Sequence, residues 1–200
     1  MTRRNCDATA KWTKENYLKL TWGKVTGAAG YEVYVRKCDG KSLWTKPAYT
    51  AKSSKTTSVT LKKLGGKKFS TTANYKYGVR AYKYVNGKKV YIGTSLTYHF
   101  VGSMNKKETN AKSVTAGIKA ITLGVKKTTK LTSKVTKVNT KRTLVKHDTL
   151  VRYISSNPSV AKVDLNTGKV TGMKAGKCKI YCIALNGVKT TVSVTVKKGC

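Results

Sequence analysis

The chain has 200 residues, 39% of them apolar, and carries 42 basic side chains against 7 acidic ones, a formal net charge of +35. That length supports one or two domains with real cores, and no run of about 18 apolar residues is present to span a membrane. So few carboxylates argue against paired-carboxylate hydrolysis and calcium binding, and the cations favour anionic partners.

Only Arg3, Arg4, Arg36, Arg80, Arg142 and Arg152 are arginines. Lysine is a hydrated point charge, whereas arginine is the planar fork that reads phosphates and base edges bidentately. The expected surface therefore attracts polyanions without reading them closely. The expected partners are an acidic glycan, a teichoic acid or an acidic protein surface, with non-specific nucleic-acid binding as a by-product.

Residues 1–11 form an N-terminal extension. MTRRNCDATAKW has no apolar run behind its arginines and does not read as a secretory signal. The readings left open are a cytosolic chain, export by another route, and excision from a longer precursor. From residue 12 the hydrophobic period is two. Leu18, Leu20 and Trp22 share one face, as do Tyr31, Val33 and Val35, while Glu32, Tyr34 and Arg36 take the other. Cys38-Asp39-Gly40-Lys41 is a hairpin turn pattern, with SLWT and TSVTL expected as the next strands. Lys63 to Lys67, KLGGK, reads as a turn between strands. NYKYGVRAY turns Tyr75, Tyr77, Val79 and Ala81 inward, and Asn86-Gly87 is the strongest hairpin pattern in the chain. Seven short strands over 12–101 argue a β-sandwich.

Residues 102–117, polar and small, read as a linker, and the second β pattern is expected from Ile118. Over residues 126–146 apolar side chains recur every three to four positions, but the threonine content favours irregular strands over a helix. In SSNPSVAKVDLNTGKVTG, Pro158 favours an extended Asn157, and Asn166-Thr167-Gly168 turns the chain between Val163 and Val170. Gly168 and Gly172 are expected to supply positive φ or close approach. Cys178, Ile180, Cys182 and Ala184 then face one way, Asn186-Gly187 turns the chain, and Val192, Val194 and Val196 return inward. The fold class is all-β, with two tandem Ig-like β-sandwiches joined by a short polar linker.

Cysteines at 6, 38, 178, 182 and 200 fit no zinc spacing. Cys178 and Cys182 on one strand are about 13 Å apart, too far to bridge, and read as small buried apolar groups. A Cys6–Cys38 disulfide and a link between chains through Cys200 are open alternatives; assembly through neighbouring modules is the other route to a multimer.

Residues 12–101 resemble a fibronectin type III domain. The resemblance rests on Leu20-x-Trp22, on Gly30-Tyr31-x-Val33-x-Val35 and on Tyr75-x-Tyr77-x-Val79-x-Ala81. The family's adhesive Arg-Gly-Asp is absent, its hairpin reading Val85-Asn86-Gly87-Lys88, so that binding is not implied. Residues 118–197 of the second module, 118–200, resemble a bacterial Ig-like domain of group 2. Here the residues are Tyr153, Ser155 to Ala161 with Val163, Gly168-x-Val170-x-Gly172, and Gly176 with Ile180. That resemblance implies a module of bacterial surface proteins, adhesins or phage virions.

No motif for a cofactor, metal or nucleophile appears. Ser155 and Ser156 have no local base or acid, and His147-Asp148 would point to opposite faces of a strand. Two basic clusters are the candidate ligand sites. One is Arg80, Tyr82, Tyr84, Lys88, Lys89 and Tyr91, with Arg80, Tyr82 and Tyr84 expected to face outward among cations. The other is Lys126, Lys127, Lys130, Lys134, Lys137, Lys141 and Arg142. The expected function is a non-catalytic structural or adhesive module, extracellular or on a bacterial cell surface. The alternatives are a virion structural protein and a carbohydrate-binding accessory module of a larger enzyme.

Overall fold

The computed structural model describes residues 7–145 and 149–198. Cys6, Lys146, the His147–Asp148 pair and Cys200 lie outside the described residues. The chain divides into two compact units, Met1–Glu108 and Thr109–Cys200. The regular structure of the described residues is all β, and no helix among them is long and apolar enough to cross a membrane.

The first unit contains β1 (Ala8–Trp12), β2 (Leu18–Trp22), β3 (Gly30–Lys37), β4 (Tyr49–Ala51) and β5 (Ser58–Leu61). It continues with β6 (Lys63–Leu64), β7 (Lys67–Lys68), β8 (Asn74–Val85), β9 (Lys88–Thr94) and β10 (Tyr98–Val101). One sheet has the order β1-β2-β5, the other β10-β8-β3-β4 with β9 also on β8. Alternation sends Leu18, Leu20 and Trp22 from one sheet and Tyr31, Val33 and Val79 from the other into a shared core, all buried. Each such side chain contributes about 1.5–3 kcal/mol. The core tyrosines bury rings and still satisfy their hydroxyls: Tyr31 accepts from the Val25 amide at 2.9 Å, and its ring lies 5.6 Å from Trp22.

The expected strand over SLWT does not form. Ser42 Oγ accepts the Trp44 amide, a local bond that competes with a ladder. Leu43 is buried, while its half-buried neighbour Trp44 lies on the outer face of the sheet over Gly78 in β8, where an added Cβ would come within 2.4 Å of the indole.

The boundary strand β11 (Glu108–Thr109) precedes β12 (Ala111–Ala116), β13 (Ala120–Gly124), β14 (Thr128–Lys130), β15 (Ser133–Lys137) and β16 (Thr143–Leu144). Then come β17 (Val151–Ser155), β18 (Ala161–Val163), β19 (Lys169–Gly172), β20 (Gly176–Ala184) and β21 (Lys189–Lys197). A sheet of order β13-β21-β20-β17 stands with β14-β19-β18 and the β12–β15 pair around a core that includes Ile121, Tyr153, Ile180, Cys182 and Val194. Cys178 and Cys182 are buried free thiols, as their spacing implied.

The linker expected over 102–117 is corrected: β12 runs through it, pairs with β15, and buries Ala111 and Val114. A bulge between Ala111 and Ser113 breaks the alternation there, which is why the polar, small sequence hides a strand. Ile118, where the second pattern was expected to start, is exposed.

The SSNPSV stretch is scaffold. Asn157 Oδ1 accepts the Ser159 amide, and Asp164 Oδ1 accepts the Asn166 and Thr167 amides and the Thr167 hydroxyl. Gly168 has φ of 72° and lies against the Tyr153 ring; Gly172 sits where a Cβ would be 2.5 Å from the Gly124 carbonyl oxygen.

Candidate functional site

The first basic cluster is built on β3, β8 and β9. Register pairs Gly30 with Tyr82, Glu32 with Arg80, and Tyr34 with Gly78 on the outer face of the sheet. A bulge between Ala81 and Tyr82 then shifts β9, so that Tyr82 faces Tyr91.

Glu32 occupies the middle of this face and is only 5% exposed. Tyr34 and Tyr91 each donate a hydroxyl to its Oε2 at 2.6 Å, and Lys89 Nζ donates to Oε1 at 2.7 Å. Burial pushes the carboxyl up, but the hydrogen bonds from Lys89, Tyr34 and Tyr91 outweigh it and hold it below the usual range. Beside it, the Arg80 guanidinium lies 4.5 Å from the centre of the Trp44 ring and 4.9 Å from that of Tyr91.

This geometry divides the expected ligand residues. Tyr82 does face outward, but it is 2% exposed: it lies over Gly30, gives its hydroxyl to the Ala51 carbonyl, and is capped by the Lys89 ammonium at 4.7 Å. Its expected availability to a ligand is therefore corrected. Arg80 is held between rings, and Lys89 is paired with Glu32. Sequence periodicity gave no sign of the burial of Glu32, because outward position and exposure coincide only when nothing covers the sheet.

Past the Gly30–Tyr82 row the two strands continue without β3, as Lys83↔Val90, Tyr84↔Lys89 and Val85↔Lys88. Both faces of this hairpin reach solvent. Tyr84 is 57% exposed, Val85 and Val90 each 42%, and Tyr91 40%. Lys83 and Lys88 are exposed as well. Asn86 and Gly87, both at positive φ, close the tip as their sequence implied. Lys83, Val85 and Val90 were missed from sequence, since they lie on the face opposite Tyr84.

The second cluster is split. Lys126 stands at positive φ in the turn before β14, with Lys127 beside it. Lys130 on β14 lies opposite Lys169, whereas Lys134 and Lys137 are on β15, which pairs with β12 instead. Lys137 Nζ donates to the Arg142 carbonyl at 2.7 Å, and Lys141 follows the same turn. The structure does not gather these residues onto one sheet face.

The described carboxylates are held apart. Asp39 pairs with Arg36 at 2.9 Å and is brought down to about 2 by that bond; Glu108 accepts from Asn74 Nδ2; Asp164 is enclosed by its own turn. Among the described residues no three His, Cys, Asp or Glu side chains gather to hold a metal.

No curated protein matches the chain in sequence. Among solved structures, a C-terminal 282-residue fragment of intimin, in complex with the translocated intimin receptor (Tir) intimin-binding domain, is 16% identical with a TM-score of 0.30. The alignment covers 91% of this chain and 58% of that one. The S-layer protein rSbsC(31-844) is 13% identical over 96% of this chain and 25% of its own, with a TM-score of 0.38. The chain thus spans less than two thirds of either protein. Residues 110–196 match the family profile of the bacterial Ig-like domain (group 2), so the second unit is similar to that family over nearly its whole length.

Proposed function

We propose that the chain is a non-catalytic structural and adhesive segment of a bacterial surface or extracellular protein, whose cationic surface holds an anionic envelope polymer or an acidic protein face. The first unit is read as a fibronectin type III-type sandwich. Its support is the three-stranded sheet facing β10-β8-β3-β4, with Trp22 against Tyr31 between them. The second unit is read as an Ig-like spacer of group 2, supported by the family match.

The observation that carries the reading is the hairpin tip. It concentrates Tyr84, Val85 and Val90 in exposed positions beside Lys83 and Lys88, and it has no acid of its own. Exposed apolar side chains on both faces of the hairpin, Tyr84 on one and Val85 with Val90 on the other, beside lysines are what contact surfaces present, and the lysines select acidic partners. The scattered carboxylates support the absence of bond-making chemistry.

The test is retention of the whole chain on cell envelopes, heparin and DNA, with a Lys83→Glu/Lys88→Glu/Tyr84→Ser variant alongside. The reading expects retention at low salt, release at high salt and weaker retention of the variant. No retention at low salt, or cleavage of any of these polymers, would overturn it.

A further inference from the structure

The outer face of the β13-β21-β20-β17 sheet carries a second feature that neither basic cluster includes. Register aligns Thr122, Thr195 and Lys177 in one row across three strands. The next row is Ala120, Ser193 and Lys179. Lys177 and Lys179 are two residues apart on β20, so their side chains leave the same face about 7 Å apart.

These polar groups are left unspent. Elsewhere, cross-strand hydroxyls satisfy each other: Thr9 with Thr21 at 2.8 Å, and Ser113 with Thr136 at 2.7 Å. On this face no side-chain hydrogen bond joins Thr122 to Thr195, although they are direct register partners. Lys177 and Lys179 are exposed and face hydroxyl-bearing partners, Thr195 and Ser193. The one described carboxylate of this unit, Asp164, is occupied by its own turn on another sheet. No described carboxylate lies beside Lys177 and Lys179, and a bound anion would screen their mutual repulsion.

We propose that this face is a docking strip for a linear phosphodiester polymer, the chemistry of a teichoic acid, with successive phosphates on Lys177 and Lys179 and hydroxyl donors from Ser193 and Thr195. Lysine holds a phosphate oxygen as a point charge, without the bidentate fork that arginine would bring. Small neighbours, Ala120 and Ser193, keep the strip flat enough for a chain to lie along it. Lys189 is outside the strip because its ammonium caps the Tyr181 ring at 4.8 Å.

This inference rests on the polyanion reading above, and its test separates the two. Binding of the whole chain to purified poly(glycerol phosphate) is compared with binding to poly-glutamate of matched charge. Three proteins are used: the native chain, Lys177→Gln/Lys179→Gln, and Lys112→Gln/Lys174→Gln, which removes equal charge from exposed positions elsewhere. The strip variant should lose roughly tenfold in affinity for the phosphate polymer, and its log–log salt slope should fall by about 2. The control variant should change less than about threefold, and a Ser193→Ala/Thr195→Val variant should lose the preference for phosphate over carboxylate. Equal losses in the strip and control variants would overturn the strip while leaving the polyanion reading intact. No binding of the native chain to either polymer would sink both.

Discussion

Glu32 shows how one residue sets what a surface can do. It engages Lys89 Nζ and the Tyr34 and Tyr91 hydroxyls, so those groups are already paired before any ligand arrives. Its carboxyl is held below the usual range, so its contribution to stability is present above the unfolded carboxylate pKa and is lost as pH falls through the lower folded value. Glu32→Gln should cost the first unit about 2 kcal/mol, read by urea unfolding at neutral pH, and should flatten its loss of stability below about pH 4. An unchanged midpoint would mean the network adds nothing. The thiols of Cys178 and Cys182 are shifted the other way, raised by burial. Their contribution is full below the ordinary thiol range and falls as pH rises through the folded values. Peptide mapping after alkylation at pH 8 should find both unmodified in the native chain and modified after unfolding. Labelling of either in the folded protein would contradict their burial.

At the scale of strands and turns, the alternating runs were legible wherever one face is core and the other solvent. Tyr75, Tyr77 and Val79 on β8 and Val192, Val194 and Val196 on β21 are buried as their spacing implied. The Asn86-Gly87 turn was equally clear, because its type demands residues that tolerate positive φ. What alternation could not show is a strand with a bulge and little apolar content, as in β12, or an outer face that acquires its own cover, as over Tyr82. SLWT failed as a strand because Trp44 fills the space that Gly78 leaves open, a tertiary contact with no local trace. The hairpin site was half legible: its tyrosines and lysines stood out, but which of them stay free depends on Glu32. Gly168→Ala tests the turn that the SSNPSV stretch leads into. It would force a side chain into φ of 72° and against Tyr153, and it should cost about 2 kcal/mol in chemical denaturation. A cost below about 0.5 kcal/mol would show that the turn relaxes freely.

For the molecule as a whole, the net charge of +35 outweighs any single contact. The described ion pairs are few, Arg36–Asp39 and Lys89–Glu32, so most of that charge is left to the solvent and to partners. A surface of that kind binds by releasing counterions from its partner, which makes affinity fall steeply with salt. The measurement that tests the central claim most directly is a salt titration of the whole chain binding to purified anionic envelope polymer, with the polymer's length analysed afterwards. The account predicts a linear fall of log affinity with log salt concentration, with a slope of several units, and polymer recovered intact. Salt-independent binding, or polymer shortened by the protein, would contradict it.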